Sequence, residues 1–413
     1  MKAFARAWSP VSLALSCVLA CIALCLHADN ILLFAFEKSS AAGPFACAFL
    51  GGAVTLCLAV AVSAHDDEQR RWSIGVGLAS AGAGVGFALF LDALPALMTA
   101  VCSGALLGFG LTCLLRQWGR YYRSFTFQGS LFSTGLSFLL GSCWWFAMMH
   151  AGSPFLFCLG LLVLVLSGGL PLLASDIVRA DEIRAGLRDV DENWVPSVTI
   201  WQVMRQGWAA VAGLMFNFFV IGLTFWPLAS GLGAGIVPKP LPYLLVAIVA
   251  WQVASRVRDP AGGMLETFYR VGLPVAAAVM LTAPALAVLF PEANSLALSA
   301  LSYLGIAVLN VLGLVVLFWS AKSSEVGFSK MFAAFCASCA ASMALGMLTF
   351  QLLGSNVSRG VALVLLVAYL AAVLVGEAWR LSKRRREANA AACAPTAEAA
   401  CDDELAEAFG SGD

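Results

Sequence analysis

Charge is scarce in this sequence. Of 413 residues only 12% are Asp, Glu, Lys or Arg, about half of the roughly 25% that soluble domains carry. Against this, 61% are hydrophobic, and water does not cover an apolar surface on that scale. A soluble globular domain is thereby excluded. Basic and acidic residues total 24 each, so no excess of one sign draws the chain to nucleic acid, and no direct nucleic-acid contact is expected. Histidine numbers three, His27, His65 and His150, and none belongs to an HExxH or other paired metal motif. No GxxxxGK[ST] loop is present to cradle phosphates, so ATP-driven work would need another subunit. No nucleophile–base pair or clustered carboxylates stand out either. Neither an enzyme nor a cofactor is expected.

Cysteine is not scarce, at 13, but most thiols sit inside apolar runs, as at Cys17, Cys21, Cys25, Cys57, Cys102 and Cys158. There cysteine serves as a small hydrophobe. Cys336 and Cys339 have CxxC spacing, yet a zinc site normally needs four ligands, and no second pair or histidine lies near them in sequence. No metal is expected.

Apolar runs fill what remains. A spanning helix needs about 20 predominantly apolar residues, and such runs fall at 9–28, 43–64, 73–91, 94–115, 125–149 and 153–175, then at 199–226, 241–257, 271–290, 297–319, 328–354 and 359–379. Lys2 and Arg6 precede the first run, which continues past Cys21 and is followed by further spans, so a retained helix is expected rather than a cleaved leader. The fold class expected is all-α: a polytopic transmembrane helical bundle of about 12 spans in two six-helix halves. Residues 1–175 form the first half, 176–198 a charged cytoplasmic linker, 199–380 the second half, and 381–413 a disordered cytoplasmic tail, too poor in large apolar residues to build a core.

The basic residues orient the bundle. With the N-terminus inside, Lys2 and Arg6, Arg70 and Arg71, Arg116 to Arg123, Arg179 to Arg188, Arg205, Arg256 to Arg270, Lys322 and Lys330, and Arg380 to Arg386 all fall at cytoplasmic ends. Only Lys38, Lys239 and Arg359 fall outside. That asymmetry is the positive-inside bias, and it predicts a multi-pass protein of the cell inner (plasma) membrane with both termini cytoplasmic. Trp8, Trp72, Trp118, Trp194, Trp201 and Trp379 lie near the predicted inner boundaries, a depth that indole rings favour. Lipid is the first partner expected, and the Lys383 to Arg386 run suits anionic headgroups.

Small residues mark candidate helix contacts. Gly75, Ala79 and Ala83 recur every fourth position, Gly82 and Gly86 form a GxxxG pair, and Gly104 and Gly108 repeat that spacing in the next span. Such positions let helix backbones approach in lipid.

Polar residues inside spans are candidates for function. Asn217 and Asn310 lie mid-span and offer donors and acceptors to a solute, or hydrogen bonds between helices. Gln128, Gln252 and Gln351 are further uncharged candidates. Arg205, one turn into its span, suits an anionic group or the headgroups. Trp144 and Trp145, towards the outer part of the fifth span, suit a ligand cavity or simple packing. His27, Asp29, Asp92 and His150 fall at outer ends.

Twelve spans in two sets of six, both termini inside and a charged central loop resemble the major facilitator superfamily over 9–380. In that family a glycine- and arginine-bearing loop follows the second helix. Here the matching loop reads HDDEQRRWS, with Asp66, Asp67, Arg70 and Arg71 but no glycine, and its counterpart reads ASRVRDPAGG, with Arg256, Arg258, Asp259 and Gly262. The resemblance implies gating charge contacts at Asp66, Arg70, Arg71, Arg258 and Asp259. It also implies alternating-access transport of a small molecule, for which the scarcity of buried charge suggests a neutral or hydrophobic solute. The texture further resembles the twelve-span membrane region of some bacterial LuxR-type regulators. No DNA-binding pattern follows Arg380, so the regulator alternative is a sensor that binds a small ligand and signals to a cytoplasmic protein partner.

Overall fold

Helix starts fall where the local chemistry favours them. In the computed structural model, α1 (Pro10–Leu26), α6 (Pro154–Arg184) and α8 (Pro240–Arg256) each begin at a proline, whose fixed φ and missing N–H fit the first helical turn. The Ser153 hydroxyl caps α6 by accepting from the Leu156 N–H at 3.2 Å, which satisfies one of the donors a helix leaves open at its start. The other elements are α2 (Ala42–Val62), α3 (Arg70–Leu89), α4 (Ala96–Tyr122), α5 (Phe127–Met149), the described helical segment α7 (Val211–Leu223), α9 (Ser295–Ser323) and α10 (Phe328–Cys393). The structure describes residues 10–26, 41–62, 70–89, 94–122, 125, 127–184, 211–223, 240–256, scattered helical positions between 275 and 282, 295–323 and 328–393.

Among the described residues, seven helical stretches are long and apolar enough to cross a membrane: Ala42–Val62, Arg71–Leu89, Ala96–Tyr122, Gly129–Met149, Pro154–Leu173, Phe328–Gly354 and Leu363–Lys383. Shorter apolar helices cover Leu13–Leu26, Val211–Leu223, Pro240–Gln252 and Ala300–Val315. Each overlaps a different predicted span. The chain is a polytopic helical membrane bundle.

Contacts divide the chain into two units, Met1–Leu363 and Val364–Asp413. Within the first, α4 lies between α2 and α3, α1 packs on α5 and α6, and α5 also packs on α8 and α9. Close approach explains the glycines of α4. A Cβ on Gly108 would stand 1.9 Å from the Phe49 carbonyl oxygen, and one on Gly104 would stand 2.4 Å from that of Phe45. The predicted stripe on α3 faces elsewhere. Gly75 and Gly86 meet nothing within 4 Å and Gly82 touches only Leu162, while Gly77 and Gly84 stand against α4. With so many small residues on α3, spacing alone did not select the packed face.

Two helices run on beyond their predicted ends. α6 continues to Arg184 and so takes in the start of the charged linker. α10 bends at Gly354, where φ is 76°, a left-handed backbone that glycine adopts without penalty. It then remains helical through the basic cluster to Cys393, although the sequence predicted a disordered tail from 381. Alanine, arginine and glutamate in that stretch are good helix formers. Among the described residues of the second unit, Val364, Val367, Leu374, Val375 and Trp379 are exposed.

Candidate functional site: a central apolar cavity

The inward faces of helices from both sides of the charged linker enclose a cavity of 290 Å³. On α7 the spacing of Leu214, Phe218 and Ile221 puts all three on its wall, as a helical period of 3.6 dictates. Ile22 and Leu26 come from α1, Phe49 from α2, and Phe138, Ser142 and Trp145 from α5. Tyr243 comes from α8, Asn310 and Leu314 from α9, and Cys336 and Cys339 from α10. Among the described residues of this lining there is no Asp, Glu, Lys, Arg or His.

The polar groups on the wall are few and mostly engaged. Ser142 Oγ donates to the Leu139 carbonyl at 2.6 Å. Asn310 Nδ2 donates to the Tyr243 hydroxyl at 2.9 Å, joining α9 to α8. The Phe138 ring lies against Tyr243 at 5.8 Å between centroids and 7° between planes. Leu131, Val246, Ala250, Ala307, Val311 and Val315 form the apolar cluster behind this trio. A wall of this kind suits an uncharged molecule, since a carboxylate or ammonium inside it would lose its hydration without gaining a counter-charge.

The predicted residues are distributed unevenly. Asn310 lines the cavity; Asn217 does not. The Asn217 side chain is 0% exposed, its Nδ2 donates to the Gly213 carbonyl of its own helix at 2.7 Å, and its Oδ1 has no hydrogen-bond partner among the described residues. Trp144 is 48% exposed and stands off the wall, while its neighbour Trp145 is on it. Gln252 and Gln351 are exposed, and His150 follows the last turn of α5, its Nδ1 at 2.8 Å from the Phe146 carbonyl. Arg71 is exposed; Arg70 opens α3. Arg205, Asp66, Arg258 and Asp259 lie outside the described residues, as do His27, Asp29 and Asp92.

Cys336 and Cys339 are free thiols on the wall, and among the described residues no group of three or more His, Cys, Asp or Glu could hold a metal ion. Trp118 is not an interfacial ring: it is fully buried, and its Nε1 donates to the Gly168 carbonyl at 2.8 Å. Tyr243 and Phe138 were not legible as site residues, because what marks them is a contact between helices far apart in sequence.

No family model matches the chain, and no curated protein matches it. Its fold is similar to the crystal structure of a bacterial homologue of the iron transporter ferroportin in an outward-facing state with soaked iron. There the TM-score is 0.57 and the identity 13%, over 90% of this chain and 98% of that one. It is also similar to the human organic anion transporter MFSD10 (TETRAN), with a TM-score of 0.50 and 15% identity over 87% of this chain and 96% of that one. At such identities the likeness is one of fold: a polytopic helical bundle. The resemblance to LuxR-type regulators gains nothing from these two structures.

Proposed function

We propose that this protein is a secondary carrier that moves a small neutral or hydrophobic organic solute by alternating access. Twelve spans form two six-helix halves, 9–175 and 199–380, with both termini cytoplasmic in an inner (plasma) membrane, and the halves rock about a central site. The observation that carries this reading is the cavity, which draws its wall from α1, α2, α4 and α5 on one side of the linker and from α7 to α10 on the other, with no carboxylate, imidazole or basic group among the described lining residues. Alternating access around a midplane site between two repeats is how such bundles transport. Asn310 binds the solute directly. Asn217, whose buried Oδ1 has no partner among the described residues, gains one as the halves move, and Arg205 and Trp144 flank the route. Asp66, Arg70, Arg71, Arg258 and Asp259 make the gating contacts at the cytoplasmic loops.

The test is a solute panel on purified protein in sealed proteoliposomes. The reading expects saturable flux of at least one uncharged solute, reduced by Asn310→Ala and by Asn217→Ala. Unchanged affinity and flux with both residues replaced would exclude the asparagines as the site.

One observation favours a second reading, a sensor that binds without transporting. The continuation of α6 to Arg184 and of α10 to Cys393 gives the bundle two charged helical extensions that a cytoplasmic protein partner would read. Tight binding without flux in either direction, across ion gradients of both signs, would favour that reading.

A further inference from the structure

The Tyr243 hydroxyl on the cavity wall has a donor still to be used. Tyr243 lies in the first turn of α8, on the same face as Val246 and Ala250, while Leu241, Leu244, Leu245, Ile248 and Val249 are exposed. The parallel Phe138 ring blocks one direction in which the phenol would swing. Asn310 fixes the other end: its Nδ2 donates to the Tyr243 oxygen. A phenol has one donor of its own, and with its oxygen accepting from Asn310 that proton is what remains to offer. No described residue accepts it.

Resting on the carrier reading, we infer that the Tyr243 hydroxyl, positioned by Asn310 and Phe138, selects the solute by donating to one uncharged carbonyl oxygen at the end of an otherwise apolar body. The charge of the wall argues against an anion. A single neutral donor does not replace the hydration of a carboxylate, and none of the described lining residues is a cation. The amount of apolar wall argues against a sugar-like solute, whose many hydroxyls would find few partners. A carbonyl compound with an aromatic or aliphatic body satisfies both the phenol and the surrounding leucine, phenylalanine and isoleucine side chains.

The test uses the full chain in lipid nanodiscs and three probes of similar shape: 2-acetylnaphthalene, its alkene isostere 2-isopropenylnaphthalene, and 2-naphthoate. Equilibrium dialysis measures binding in excess of empty nanodiscs. The ketone is expected to bind about fivefold tighter than the alkene, the range of one net hydrogen bond, and the naphthoate not to bind above background. Tyr243→Phe is expected to remove the ketone's advantage over the alkene, and a thermal unfolding profile like the parent's reports that the variant is folded. Asn310→Leu, which frees the phenol, is expected to reduce the same ratio and serves as the second variant. An undiminished ketone preference in Tyr243→Phe, equal affinities in the wild type, or specific naphthoate binding would each overturn the inference. Leu314→Trp, which fills the cavity, separates the two levels: it should abolish binding of ketone and alkene alike. If both bind unchanged, the probes sit elsewhere and the reading of the cavity as the binding site fails.

Discussion

Arg116 Nε donates to Ser329 Oγ at 3.0 Å, tying the end of α4 to the start of α10. It is the first of three consecutive residues that each reach a different helix. Gln117 Nε2 donates to Ser73 Oγ on α3 at 2.9 Å, and Trp118 Nε1 donates to the Gly168 carbonyl on α6. Two of these contacts stay on one side of the linker, where the structure needs rigidity. The Arg116 contact crosses to the other side. Beside it Leu56, Cys57, Val60, Cys113 and Ala333 form a single buried apolar cluster, so α2, α4 and α10 pack together at this end.

A hydrogen bond to a charged donor contributes roughly 1.5–3 kcal/mol, enough to bias a two-state opening. Ser329→Ala is therefore expected to favour opening at this end. In a background keeping only Cys57, which is buried, N-ethylmaleimide should label the variant about tenfold faster than its parent. Ser329→Thr, which keeps the hydroxyl, should label at the parent rate. Equal rates for the alanine variant would show that the contact does not hold the end closed.

Backbone contact makes a second prediction. Gly108→Ala drives a methyl into the Phe49 carbonyl and should destabilise the bundle by roughly 1–3 kcal/mol, as overpacking does. Gly75→Ala, with nothing within 4 Å, should fall within about 0.5 kcal/mol of the parent. Thermal unfolding in detergent, followed by the appearance of aggregated protein, compares the two. An equal effect would show that the α2–α4 approach is looser than described.

Ligand binding should not depend on pH across the range where histidine and perturbed carboxylates titrate. None of the described residues of the cavity wall is Asp, Glu, His, Lys or Arg, so protonation between about pH 5 and 8 has no group to act on among them. Dialysis of 2-acetylnaphthalene at both ends of that range is expected to give one affinity. A titration step would reveal an ionisable group at the site.

Orientation is tested by single cysteines in sealed, correctly oriented cells. Positions 120, 191 and the tail should be shielded from an impermeant maleimide, and positions 29, 239 and 356 should react. External labelling at position 191 would reverse the arrangement inferred from the basic residues.

Much of the bundle was legible because each span is a long apolar run, and lipid demands that a spanning backbone satisfy its own hydrogen bonds. Gly354 falls at the predicted end of the eleventh span, and the helix bends there. Faces were harder to read. One residue turns a helix by about 100°, so the Trp144–Trp145 pair announced an aromatic site without saying which ring enters it. Cys336, Cys339 and Ala340 on the α10 wall give no polar contrast to mark that face. Asn310 was legible as a polar residue in an apolar span, but Asn217 has the same signature and turns to its own helix instead. Tyr243 and Phe138 carry no local signal: their role comes from a parallel ring contact and an amide donor supplied by three different helices. Trp118 sits near a span end, where interfacial and buried indoles look alike in sequence.

The central claim is that the cavity opens to both sides of the membrane in turn, and Cys339 on its wall reports this without a known solute. With all other cysteines replaced, oriented proteoliposomes are treated with an impermeant maleimide from outside or from within. The carrier account predicts that Cys339 reacts from either side, and that Ser329→Ala raises the rate from the side of the Arg116 contact and lowers it from the other. Reaction from one side only, in the parent and in the variant alike, would contradict alternating access.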